Sequence, residues 1–190
     1  RIFGDDMAAT LNTIAKDVKI QVEFNPRRIN QYRQLGYENR QLKKEQFRDD
    51  TVDAGEIGSG QSVTALYELE LADDALAARA AGASSMPDDV LAMVRVRYLD
   101  LATGKVVEIE QPVKDSAVNS SFDHADARFR LAAGVAEFAE ILRGNPFADG
   151  NSFPEVAAVL RPVALELNLD RRVQELLRMV EAAGGLTRGE

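Results

Sequence analysis

The hydrophobic period of this chain changes once, near residue 113, and that change limits the fold to strands followed by helices. Val18, Ile20, Val22 and Phe24 alternate with Lys19, Gln21 and Glu23, the period of two of a half-buried strand. Ser62–Leu71 repeats the pattern, with Val63, Ala65, Tyr67, Leu69 and Leu71 on one side. Val90–Leu99 sets Val94, Val96 and Tyr98 against Arg95 and Arg97, and Asp100 to Gly104 then turn the chain into a return strand, Lys105–Gln111, closed by Pro112. Beyond residue 113 apolar residues recur at helical spacing. The pattern predicts an α+β fold: an antiparallel β-sheet or sandwich followed by a C-terminal bundle of about three helices.

The boundaries follow from the punctuation. Met7, Leu11 and Ile14 lie at i, i+4 and i+7, so Met7–Ala15 reads as a helix end and Asp17 as the start of the first strand. Residues 1–16 are then the end of a preceding domain or a linking helix, 17–112 the antiparallel β region, and 113–190 a helical region packed on it. Ile29–Arg40 reads as a second strand, with Gly36 allowing a bulge, and Gln41–Gly60 as a surface connection with room for a helical turn near Lys43–Phe47. Asp73–Asp89 reads as a loop. Asn119-Ser120-Ser121 is a natural N-cap for a long helix reaching Arg143, closed by Gly144-Asn145-Pro146. Two apolar stripes on that helix, one through Phe129 and Ala132 and one through Leu131 and Phe138, predict burial around much of its circumference, with Phe129 and Phe138 in or beside the core of the sheet. Two more helices follow, Phe153–Leu167, which Pro162 should kink or divide, and Asp170–Ala183, ended by Gly184-Gly185.

Composition excludes several kinds of chemistry. The net charge is −8, positive and negative charges balance over residues 1–60, and no stretch builds the basic face that nucleic-acid phosphates require. The chain has no cysteine and a single histidine, which removes disulfides, thiol nucleophiles and the usual nitrogen and sulfur zinc sites. No apolar run is long enough for a membrane span. The chain starts at Arg1 rather than Met and reads as a piece of a longer polypeptide.

Few residues invite a catalytic reading. His124 lies beside Asp123, Asp126, Ser120 and Ser121, so a small hydrolase using His124 with Ser120 or Ser121 is the alternative to a non-enzymatic reading. Neighbours on one helix turn do not readily supply a nucleophile, a base and an oxyanion hole together, and a polar first-turn residue is the favoured account. Gly55-Glu-Ile-Gly-Ser-Gly60 lacks the Gly-Lys-Ser/Thr of a phosphate loop and precedes a strand rather than a helix. The carboxylates at Asp49, Asp50 and Asp53, at Asp73 and Asp74, and at Asp88 and Asp89 do not match calcium-loop spacing. No residue is assigned as catalytic, cofactor-binding or metal-ligating, and no cofactor is implied.

Two regions carry a family resemblance. Thr13-Ile-Ala-Lys-Asp-Val-Lys-Ile-Gln-Val-Glu-Phe-Asn-Pro26, continued by Tyr32 to Arg40 and by Asp53-Ala-Gly-Glu-Ile-Gly-Ser-Gly-Gln-Ser-Val-Thr-Ala-Leu-Tyr-Glu68, resembles the segment that follows the von Willebrand factor type A (VWA) domain in bacterial YfbK-like proteins. Phe129-Arg-Leu-Ala-Ala-Gly-Val-Ala-Glu-Phe-Ala-Glu-Ile-Leu-Arg-Gly144 resembles the helix of the same C-terminal module. The likeness spans residues 8–183. It implies an upstream VWA domain in the same chain, and it suggests a bacterial cell-envelope or periplasmic location. VWA domains often hold a divalent metal through Asp-x-Ser-x-Ser. Asp115-Ser-Ala-Val-Asn119 departs from that motif at its third and fifth positions, so no metal ligand is carried over. The resemblance and the residues agree on a non-catalytic interaction or scaffolding module, whose partners are the upstream VWA domain and another protein. Exposed aromatics suited to a carbohydrate-binding sandwich are scarce, with no Trp and 4 Tyr.

Overall fold

In the computed structural model, residues 12–36, 41–73 and 86–186 are described. The chain divides into two units, Arg1–Val118 and Asn119–Glu190. Among the described residues the first has strands and short 3-10 turns, and the second has helices and short 3-10 turns. The fold is α+β.

Among the described residues, six strands build the first unit: β1 (Thr13–Phe24), β2 (Ile29–Leu35), β3 (Gly55–Gly58), β4 (Leu66–Leu71), β5 (Val90–Asp100) and β6 (Lys105–Lys114). Four of them form an antiparallel sheet in the order β3-β1-β5-β6, while β2 and β4 pair apart as a two-stranded antiparallel ribbon. The alternating stretches Val18–Phe24 and Ser62–Leu71 therefore sit in different sheets. They meet through Phe24, whose ring centroid is 4.4 Å from that of Tyr32 and 5.4 Å from that of Tyr67.

β1 begins at Thr13, so Thr13–Ala15 is strand rather than the end of a helix; Met7 and Leu11 lie outside the described residues. A bulge hid this. Asp17 takes φ 52°, and the pairing of β1 slips beside it on both neighbouring strands. One extra residue reverses which side later residues face. Ala15 and Ile20 thus share a face although they are five residues apart, and the alternation before Asp17 runs out of phase with that after it.

β2 stops at Leu35, where Gly36 turns the chain at φ 77°, and Tyr37–Arg40 of the anticipated longer strand lie outside the described residues. The helical turn anticipated near Lys43–Phe47 is a 3-10 turn, Lys44–Arg48. β3 lies inside the stretch that reads as a surface connection, and β4 begins at Leu66 rather than Ser62. Pro112 does not end β6 but lies within it. It can do so because β6 is an edge strand, where a missing N–H costs no ladder bond. The β5–β6 turn is fixed by its own residues. Asp100 Oδ1 accepts from Ala102 N at 2.9 Å, Thr103 Oγ1 donates to Asp100 Oδ2 at 2.8 Å, and Gly104 supplies φ 67°.

The corner between β1 and β2 hangs on Asn25, which is fully buried. Its side-chain amide donates to Val90 O at 2.8 Å, its backbone N–H to Leu91 O at 2.8 Å, and its carbonyl accepts from Arg28 and Ile29. Arg28 then grips Asp115 with two bonds of 2.7 and 2.8 Å, tying the corner to the end of β6.

Among the described residues the second unit has three α-helices: α1 (Ala127–Leu142), α2 (Phe153–Glu166) and α3 (Arg171–Leu186). α1 starts later than Asn119-Ser120-Ser121 suggested. Phe122–His124 form a separate 3-10 turn, and the cap is Asp126, whose Oδ1 accepts from Arg128 N at 2.8 Å. A carboxylate there also suits the helix dipole. Gly144 closes α1 at φ 62°. Ser152 and Glu155 cap α2 reciprocally.

α2 is the central element. Phe153, Val156, Ala157, Leu160, Val163 and Ala164 are all buried, the i, i+3, i+4 spacing of one helix face continued for three turns. Leu131, Phe138 and Ile141 of α1 and Leu176, Leu177 and Val180 of α3 pack on them. Pro162 does not divide α2: it lies on the exposed side, as does Ala158, whose carbonyl loses its helical donor to the proline. α3 continues through Gly184-Gly185, because Gly184 lies against α2, where an added Cβ would be 3.4 Å from the Phe153 Cβ. Phe138 belongs to this helical core, its ring 5.7 Å from that of Phe153. Phe129 is not a core residue: it is 50% exposed, with Phe122 as its ring neighbour at 6.2 Å. Of the two stripes on α1, the one through Leu131 and Phe138 packs on the helical core.

Candidate functional site

The four-stranded sheet has two unlike faces. Lys19 stands opposite Arg97, which stands opposite Glu108, and Gln21 opposite Arg95, which stands opposite Glu110. Arg95 bridges three strands, at 2.6 Å from Glu23 and 2.6 Å from Glu110. Arg97 bonds Asp50 at 2.8 Å, and Arg48 bonds Glu108 at 2.7 Å. The hydrogen bond from Arg48 holds the Glu108 carboxyl below the usual carboxylate range. The 3-10 turn caps this face by burying Phe47, and Lys19, 2% exposed, donates its ammonium to Asp49 O. The charges on this face thus find partners within it.

The opposite face has the register Ile20–Val96–Ile109, with Val22 against Val94 and Tyr98 against Val107. Apart from Tyr98 these residues are all aliphatic, and none is charged. Phe24, Tyr32 and Tyr67 cover one end, while Ile20 is 47% and Ile109 54% exposed. The ribbon extends the apolar surface through Tyr32, at 62% exposure, and Leu71, also at 62%. This face, uncharged through its middle with Asp100 and Lys105 at its hairpin end, is only partly covered, and among the described residues of the first unit it is suited to apolar contact.

His124 and Ser120 are brought together: Ser120 Oγ lies 2.9 Å from His124 Nδ1, and both are exposed. Ser121 meets the histidine only through its backbone carbonyl, which accepts from His124 N at 3.2 Å. The pair sits on a surface turn, and two grooves of the helical unit are lined by other residues. Neither groove includes Ser120 or His124, and nothing in the geometry of the pair supports the hydrolase alternative. Among the described residues there is no group of three or more His, Asp or Glu placed to hold a metal ion, and no helix is long and apolar enough to cross a membrane.

Sequence reasoning missed Lys19, Asn25, Arg95 and Arg97 as structural residues. The arginines were legible in principle, because charges alternating along one strand of a hairpin face those of the next, and Arg95 against Glu110 follows from the turn register. Asn25 and Lys19 leave no such local trace; each is bonded to a carbonyl distant in sequence.

Comparison with known proteins places the whole chain. Residues 9–186 match the family described as "Uncharacterized protein YfbK, C-terminal". Over 194 residues the chain is 34% identical to the "Uncharacterized protein YfbK" of Escherichia coli (strain K12), an alignment that covers 98% of this chain and 33% of that relative. The chain thus spans about a third of the length of the curated relative it matches. No solved structure matches. The match from residue 9 to residue 186 and the level of identity together assign the chain to the YfbK C-terminal family.

Proposed function

We propose that this chain is a non-catalytic interaction module that packs the open face of its four-stranded sheet on another protein surface, the first candidate being the VWA domain that the family resemblance sets upstream in the same polypeptide. The observation that carries the reading is the uncharged face through Ile20, Val96 and Ile109, exposed at its rim while the charges of the opposite face are paired among themselves. A relative about three times as long also supports it, since a tethered neighbour is present at high effective concentration and needs little intrinsic affinity to dock.

The test is calorimetric titration of this chain with the separately produced VWA domain of its parent polypeptide, repeated with the double variant Ile20→Asp, Ile109→Asp. Burying two carboxylates in an apolar contact is costly, so the variant should bind at least about tenfold more weakly, a change of roughly 1.4 kcal/mol. Its own unfolding midpoint should change little, because both side chains are already about half exposed. Binding that the variant leaves unchanged, or no binding of the parent chain, sinks the proposal.

A further inference from the structure

The helical unit carries an open groove of about 380 Å3 between α1 and the first half of α2. Ala133 and Gly134 of α1 and Val156 and Val159 of α2 form its floor, and Phe122, 42% exposed, forms one side. The groove exists because α1 has small residues here. At Gly134 the two helices come so close that an added Cβ would lie 2.7 Å from Leu160 Cδ2.

Two carboxylates line the same groove, Glu137 and Glu155. Each is fixed by one oxygen. Asn151 Nδ2 donates to Glu137 Oε1, and Ser152 donates through its N–H and its hydroxyl to Glu155 Oε2 at 2.9 and 2.8 Å. The other oxygen of each has no partner among the described residues, no Lys or Arg lines the groove, and neither glutamate forms an ion pair with a described cation. This contrasts with the sheet unit, where Glu23, Glu108 and Glu110 all meet arginine. The groove therefore offers an apolar floor with two oriented carboxylates that accept hydrogen bonds from Asn151 and Ser152 but form no ion pair with a described cation.

The geometry points to a peptide-binding groove for a segment in which an aliphatic or aromatic residue lies between Lys or Arg residues. The apolar side chain would sit on Ala133, Val156 and Val159, and the flanking cations would reach the unbonded oxygens of Glu137 and Glu155. Pockets that engulf small ligands run from roughly 300 to 1,000 Å3 and bury most of the ligand. An open groove at the low end of that range suits one or two side chains of a chain whose backbone stays outside. Fixing the carboxylates in advance removes part of the ordering cost of binding. This inference does not depend on the open face of the sheet, and the failure of either leaves the other standing.

The experiment follows backbone amide shifts of the whole 190-residue chain during titration with three capped peptides: Gly-Lys-Leu-Phe-Lys-Gly, the same peptide with both Lys replaced by Glu, and Gly-Lys-Gly-Gly-Lys-Gly. The first should give saturable shifts at Ala133, Glu137 and Val159, and each control should bind at least about tenfold more weakly, roughly 1.4 kcal/mol. Two variants complete the test. Ala133→Met fills the floor, and Glu137→Gln with Glu155→Gln removes the charge while retaining acceptors for Asn151 and Ser152. Both should lose binding, and the glutamine pair should keep the amide dispersion of the folded chain. Absence of saturable shifts at the groove overturns the inference. So does equal binding of the peptide without apolar residues, or undiminished binding by the glutamine variant.

Discussion

At the scale of single residues, the positions that shape this fold are the ones that break a local rule. Asp17 has φ 52° in a strand, a left-handed conformation that aspartate tolerates better than most residues and β-branched residues tolerate worst. The bulge it forms decides that Ile20, Val22 and Phe24, rather than Lys19 and Gln21, reach the apolar face. Asp17→Gly should leave stability within a few tenths of a kcal/mol, whereas Asp17→Val should cost about 1–2 kcal/mol more than Gly, read as a shift in the urea midpoint of the strand signal. Equal midpoints for the two variants would mean that the backbone at this position is not held left-handed. Phe129 shows the converse error. Its helical spacing reads as core, yet its exposure of 50% removes it from the class of fully buried aromatics whose truncation costs about 3–5 kcal/mol.

At the scale of elements, the helices illustrate how propensity and packing oppose each other. Glycine inside a helix is about 1 kcal/mol less favourable than alanine, so every helical glycine needs a reason. Gly134 has one: the close approach to Leu160, which is 0% exposed and would have to shift to admit a Cβ. Gly185 meets nothing within 4 Å. Gly134→Ala should therefore destabilise the helical unit by about 1–2 kcal/mol, since overpacking outweighs the gain in propensity. Gly185→Ala should stabilise it by up to about 1 kcal/mol, less if the last turn frays. Thermal unfolding followed by the helical signal separates the two, and a stabilising Gly134→Ala would show that Leu160 can give way. Among the strands, the edge position of β6 explains why it accepts Pro112, while β5, paired on both sides, carries no proline.

At the scale of the whole molecule, charge is arranged to make stability depend on pH. Asp49 is held below its ordinary acidity constant by the Thr51 hydroxyl, Asp89 by Lys114, Asp100 by Thr103, Glu108 by Arg48 and Asp170 by Arg172. Depressed native values mean that the unfolded chain binds more protons in acid, so stability rises with pH there. The contribution is complete above the ordinary values of 3.8 for Asp and 4.5 for Glu, and it is lost as pH falls from there through the lower native values. The unfolding midpoint should accordingly be level near neutral pH and decline below about pH 4.5, with added salt shrinking the decline because these groups are exposed or half-buried rather than buried. Four of the five lie in Arg1–Val118, so the strand signal should lose more than the helical one. Glu108→Gln should flatten part of that slope. A midpoint that rises on acidification would contradict the assignment of these bonds.

The sequence by itself determined the local elements: β1 from Val18 onward, the β5–β6 hairpin with its Asp100-to-Gly104 turn, and three helices with Gly144 ending the first. Those features depend on side chains two, three or four positions apart, and such spacing is written directly in the residue order. β3 escaped because four residues, two of them glycine, hold too little alternation to register. The tertiary structure alone decided that β2 and β4 leave the main sheet as a ribbon, that Asn25 and Lys19 bury their polar ends on carbonyls 65 and 30 positions away, and that Arg95 reaches Glu23 across 72 positions. It also decided that Glu137 and Glu155 share one groove. Each of these rests on a contact closed by a long loop, and the energy of such a contact depends on which strands and helices become neighbours, which no local pattern specifies.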